Sequence, residues 1–265
     1  MEKVMLNRRT FLQGGAACTG AVATATVGGL QAAPGNPSGV GGYDYRLPAF
    51  GKGSRMLFQG DSITDMKWGR NERDRNHYLG HSYVYLVASR LGVDMPEAKL
   101  EFFNRGMSGH KVGDLRARWQ KDTIDMKPDV LSILIGVNDV GRSGARGVQL
   151  DRWEADYRFL LDSSTKANPK LRLVLLDPFV LRSGRLKDDG AWKQWRGEVD
   201  KLCGIVARLA TDFKAVHVRT QEVFDAAAKA VDPAHWIWDG VHPLPQGHEL
   251  IARNWLQEAS TRWKA

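Results

Sequence analysis

From Arg55 onward, short apolar runs alternate with longer amphipathic stretches. Leu131-Ser132-Ile133-Leu134-Ile135 and Leu173-Val174-Leu175-Leu176 are almost unbroken apolar runs. Central strands of a parallel sheet read this way, because both of their faces are covered. The pattern predicts strands at 55–58, 100–103, 130–135, 171–176 and 215–219. Helices are predicted between and after them at 83–91, 112–120, 152–161, 192–209 and 246–256, where apolar positions recur at helical spacing. Such alternation implies a single-domain, three-layer α/β/α sandwich around a central, mainly parallel five-stranded sheet. Ligands of open α/β sheets bind outside the carboxyl ends of the strands. The residues that follow each strand are therefore where chemistry is sought.

The N-terminal stretch follows different rules. Asn7-Arg8-Arg9-Thr10-Phe11-Leu12-Gln13 is a twin-arginine sequence, and the chain from Gly14 to Leu30 is uncharged and mildly apolar. This resembles a Tat signal, which implies export through the Tat machinery to the periplasm or the outside of the cell. The segment is rich in Gly and Thr and barely reaches the roughly 18–20 apolar residues of a span, so no stable membrane span is expected. The predicted organisation is a signal at 1–33, a Gly/Pro-rich linker or surface arm at 34–53, and the α/β domain at 54–265. Tyr43, Tyr45 and Phe50 are the residues placed to pin the arm.

Composition narrows the picture further. Hydrophobic residues make up 43% of the 265, which excludes a collagenous or wholly disordered chain. The net charge of +8 is scattered, with Lys3, Arg8 and Arg9 supplying part of it, so a nucleic-acid partner is not expected. Of the two cysteines, Cys18 lies in the leader, and Cys203 reads as a small core residue in a helix.

Four strand ends carry the chemistry. The first is followed by Gly60-Asp61-Ser62, where Gly60 permits a tight turn and Ser62 stands at a helix start. The second is followed by Asn104-Arg105-Gly106-Met107-Ser108-Gly109, two glycines spaced for close backbone approach. After the third comes Gly136-Val137-Asn138-Asp139, whose Asn can turn its amide into the crevice or cap the next segment. Near the carboxyl end, Trp238-Asp239-Gly240-Val241-His242-Pro243 sets a carboxylate three residues before an imidazole in a bent loop. Taken singly, each has a plainer reading as a turn, a cap or a surface pair.

In this order the four blocks resemble the SGNH, or GDSL-like, hydrolases, over roughly 55–256. The resemblance implies a flavodoxin-like fold and a carboxylic ester hydrolase. It makes Ser62 the nucleophile, His242 the general base and acid, and Asp239 the residue that orients the imidazole. It builds the oxyanion hole from the Ser62 N–H, the Gly109 N–H and the Asn138 amide, with Gly109 rather than Gly106 as the donor. Neither a metal nor an organic cofactor is implied.

The resemblance, with Ile-Thr-Asp after the serine and Asp-Pro-Phe at 177–179, points to acetylated glycans as substrates. A lysophospholipase or thioesterase is the alternative, and a non-catalytic glycan-binding protein on the same scaffold is a third. Nine tryptophans are present. Trp68, Trp236 and Trp238 flank the Ser62 and His242 loops, as sugar-stacking surfaces or as packing for those loops. Arg70 is the cation placed to reach into the cleft. His77 and His81, with Asp74 nearby, have helical metal-ligand spacing but lack a third ligand, and a polar helix start is the better reading.

Overall fold

The structure, a computed structural model, describes residues 42–43 and 45–263; the leader expected at 1–33 lies outside the described residues. Five strands form one sheet: β1 Arg55–Gly60, β2 Glu101–Asn104, β3 Val130–Leu134, β4 Arg172–Leu176 and β5 Val216–Val218. The order is β2-β1-β3-β4-β5, and every pairing is parallel. The central β3 is buried along its whole length, which is why its sequence is apolar without alternation. Chain direction across the sheet changes between β1 and β3, so the crevice of the fold opens beyond Gly60 and Leu134.

Nine α-helices are described. They are α1 Ser62–Asp65, α2 Tyr83–Asp94, α3 Val112–Trp119, α4 Val137–Ser143, α5 Leu150–Ala167, α6 Asp189–Asp212, α7 Thr220–Ala230, α8 Pro233–Trp236 and α9 Pro245–Arg262. The packing of α2 on α9 and of α3 on α5 supplies the outer layers. Two tryptophan N–H groups are satisfied within these layers. Trp119 on α3 donates to the Leu160 carbonyl and the Ser164 hydroxyl of α5, and Trp255 on α9 donates to Ser132 of β3 at 3.0 Å. Phe58 on β1 packs between Tyr83 and Trp255, at ring distances of 6.0 and 5.7 Å.

All five predicted strands and all five predicted helices form, with ends displaced by up to six residues. Four helices are additional, the single turns α1 and α8 and the longer α4 and α7. α4 is only seven residues long and contains Gly141, and α7 carries a run of alanines in place of a broad apolar stripe. The described part of the arm is pinned as its aromatic residues suggest. Tyr43 donates to Glu249 at 2.9 Å, Tyr45 to Asp94, and Phe50 meets Trp263 edge-on. Cys203 sits against the Pro178 carbonyl, and burial pushes its thiol up.

Candidate active site

α1 is one turn long and cannot sustain itself. Asp61 caps it by accepting the Ile63 N–H at 3.0 Å, and Met66 in the left-handed region stops it. Gly60 is obligatory before it, since a Cβ there would stand 2.5 Å from the Leu134 carbonyl oxygen and 2.3 Å from the Thr64 hydroxyl. The rest of its support comes from outside. The fully buried Asn104 amide donates to the carbonyls of Thr64 at 2.7 Å and Leu79 at 2.8 Å, and its oxygen accepts the Gly106 N–H at 2.8 Å. Asp65 accepts from the Ser108 N–H, the Ser108 hydroxyl and Arg70 at 2.9, 2.7 and 2.7 Å. The loop after β2 is thereby bolted to the turn that carries Ser62.

Ser62 and His242 come from opposite ends of the chain, and their side chains meet at 2.9 Å between Oγ and Nε2. His242 Nδ1 lies 2.8 Å from Asp239 Oδ2. The other Asp239 oxygen accepts the backbone N–H groups of Val241 and His242 at 2.9 and 2.7 Å, so carboxylate and imidazole are fixed by their own loop. Burial alone would raise the Asp239 carboxyl, but the bonds from His242 and these two amides hold it far below the usual carboxylate range. The loop turns at Gly240, with φ of +94°. It is backed by the 184–186 turn, which approaches so closely that a Cβ on Gly184 would lie 2.4 Å from the Asp239 Cα. Arg185 on that turn stands 3.7 Å from Asp239 Oδ2, over the Trp195 ring. Neither residue was marked by any signal in the sequence.

The three donors expected for an oxyanion differ in how they are engaged. Among the described residues the Ser62 and Gly109 N–H groups find no acceptor, whereas the Gly106 N–H is spent on Asn104. Asn138 commits one amide hydrogen to the His110 carbonyl at 3.1 Å, which fixes the orientation of the other. Such an arrangement can pass the serine proton to imidazole and meet a developing oxyanion with preset donors.

The flanking residues divide differently from the expectation. Trp68 and Trp236 are buried, 7% and 4% exposed, and leave no ring face for a sugar. Trp68 instead donates to the Gly106 carbonyl at 2.9 Å and lies under the guanidinium groups of Arg70 and Arg105. Arg70 is tied to Asp65 and packs behind the Ser62 turn. Trp238, 60% exposed beside Asp239, is the one of the three with an open face. His77 is exposed and pairs with Asp74 at 2.8 Å.

This fold, with a hydroxyl, an imidazole and a carboxylate in series at its crevice, defines a serine-type acyl hydrolase. The profile of the GDSL-like lipase/acylhydrolase family matches residues 58–250, and the chain belongs to that family. It is a carboxylic ester hydrolase. An acetylxylan esterase of Geobacillus stearothermophilus is 36% identical over 221 residues, 80% of this chain and 97% of that enzyme. Its crystal structure matches with a TM-score of 0.70, at 37% identity, over 79% of this chain and 95% of that one. A Parabacteroides merdae protein described as a GDSL-like lipase matches with a TM-score of 0.75 and 36% identity, over 82% of this chain and all of that one. Described catalytic mutants of the Geobacillus enzyme replace a serine, an aspartate and a histidine, the last two three positions apart. The twin-arginine signal profile matches residues 5–25, which marks the chain for export. Among the described residues no helix is long and apolar enough to cross a membrane.

Two predictions follow from this construction. Asn104→Ala strands two buried carbonyls and one buried N–H, at about 1–3 kcal/mol for each group left without a partner. Urea unfolding should show a loss of about 3–5 kcal/mol, far above the ordinary cost of removing one amide; a loss below about 1 kcal/mol would mean that α1 is held by other means.

The second concerns Asp61, whose Oδ2 is buried without a partner and whose carboxyl burial raises from 3.8 to about 7. The folded chain therefore keeps a proton that the unfolded chain releases, and stability falls as pH rises from about 4 to about 7 before levelling off. Asp239, shifted the other way, loses its contribution only below 3.8 and does not act in this window. Asp61→Asn should lessen the decline measured by denaturant titration at pH 5 and pH 8, with Asp139, raised in the same way, supplying part of what is left. An unchanged slope would refute the assignment.

Proposed function

We propose that the protein removes acetyl groups from carbohydrates through an acetyl-enzyme on Ser62. The observation that carries this reading is the chain of contacts from Ser62 through His242 to Asp239, in a fold shared with an acetylxylan esterase. The three-residue spacing of Asp239 and His242 equals that of the aspartate and histidine replaced in that enzyme's catalytic mutants. Ser62 Oγ attacks the ester carbonyl carbon as its proton passes to His242 Nε2. The oxyanion is met by the Ser62 and Gly109 N–H groups and the Asn138 amide. Imidazolium, stabilised by Asp239, returns the proton to the departing sugar oxygen. Water then attacks the acetyl group by the same route and releases acetate, leaving Ser62 free. The open indole of Trp238 supplies a stacking face for a sugar ring. The boundaries proposed are a leader at 1–33, an arm at 34–53 and the hydrolase domain at 54–265, with the Tat machinery as the partner of the leader.

The decisive assay is acetate release from acetylated xylo-oligosaccharides, run beside 4-nitrophenyl acetate and octanoate. Acetyl substrates should be preferred; a clear preference for the octanoyl ester would replace this reading by a lipid-directed one. In a folded protein, Ser62→Ala and His242→Ala should each cost on the order of 10⁴–10⁶ in kcat, and the double variant little more, because members of one unit are non-additive.

Asn138→Ala should lower kcat by about 10²–10³ with KM little changed. A change confined to KM would remove Asn138 from the oxyanion hole.

A further inference from the structure

A recess of about 410 Å³ opens between the first turns of α3 and α5 and the last turn of α4, lined by Lys111 and Asp139, which follow Gly109 and Asn138 closely in the chain. Its lining includes Lys111, Arg142, Arg146 and Arg152 on the basic side, and Asp114, Asp139 and Asp156 on the acidic side. The balance is less even than this suggests, because each carboxylate is already engaged. Asp114 accepts the Lys111 N–H at 2.9 Å, and Asp156 is paired with Arg116, outside the recess, at 2.6 Å. Asp139 accepts the Val112 N–H, and burial raises its carboxyl to about 7, so much of its charge is absent near neutrality.

The four cations are in the opposite position. Among the described residues none of them is ion-paired, although the neighbouring Arg116 and Arg118 both are. Unpaired guanidinium groups around a concavity concentrate positive potential there, and their planar donors match a carboxylate. The recess also adjoins the reaction. Arg142 Nη2 lies 2.9 Å from where a Cβ on Gly109 would stand, and Arg142 and Asn138 lie near opposite ends of the same short helix.

We propose that this recess is a subsite for a carboxylate carried by the substrate, so that the enzyme favours esters on uronate-bearing glycans over neutral ones. The inference rests on the carbohydrate reading above and extends it to the charge of the sugar chain. The carboxylate belongs to a part of the glycan outside the scissile ester, since an acetyl ester carries no charge. Arg146 and Arg152 hold the carboxylate at the far wall, and Arg142 spans the distance to the oxyanion side.

The test compares kcat/KM for acetylated xylo-oligosaccharides with and without one glucuronate substituent. Wild-type protein at low salt should favour the acidic substrate by about tenfold or more, and the preference should shrink at high salt. Arg146→Gln with Arg152→Gln should bring the ratio close to one. Equal rates on the two substrates in the wild type, or a ratio that the double variant leaves intact, would overturn the subsite while leaving the acetylesterase reading in place. If neither oligosaccharide loses acetate while 4-nitrophenyl acetate is cleaved, the carbohydrate reading fails instead. The subsite is then decided by calorimetric titration of folded Ser62→Ala protein with the deacetylated acidic oligosaccharide. Binding that disappears on adding Arg146→Gln and Arg152→Gln sustains it, and absence of binding ends it.

Discussion

A four-residue helix has no means of holding its own shape, because too few hydrogen bonds repay the fixing of its backbone. The whole site hangs on how such a turn is held at the end of β1. Asn104 does this with one amide, bridging carbonyls from Thr64 and Leu79 and receiving the Gly106 N–H. Asp65 adds a second bolt to Ser108. Both anchors belong to the crevice side of the sheet, where β1 and β2 end side by side. Ser62 is thus positioned by the neighbouring strand more than by its own segment, and a parallel sheet provides that neighbour in fixed register.

The second constraint is electrostatic. Two carboxyls next to the crevice, the buried Asp61 and the partly buried Asp139, are raised to about 7, while Asp239 is held low. The difference lies in donors. Asp239 receives two backbone N–H groups and an imidazole, whereas one Asp61 oxygen has no partner. Three acids of one chemical kind are separated by local geometry into one that stays ionised and two that resist ionisation. The ionised one is the one in contact with His242.

How far the sequence reveals this depends on what each signal reports. Strands buried on both faces must be apolar throughout, so β3 and β4 stand out, and the Gly, Ser, Asn, Asp and His residues at the strand ends are legible in their order. The α4 helix is not legible, because seven residues with an internal glycine give no period to read. Nor can burial of an aromatic side chain be read locally. Trp68 and Trp238 both sit within a few residues of the triad, yet one lies under two arginines and the other faces solvent. Arg185 and Trp195 escape for a related reason, since only tertiary packing brings a surface turn and a helix beside Asp239.

Cys203 is the one cysteine among the described residues. Its sulfur is turned to the Pro178 carbonyl, and burial keeps the thiol protonated. Exchange chemistry needs the thiolate, so the raised thiol is a poor partner for disulfide exchange. With one cysteine, the described residues can close no disulfide among themselves, so their cross-links do not change with the redox poise on either side of a membrane.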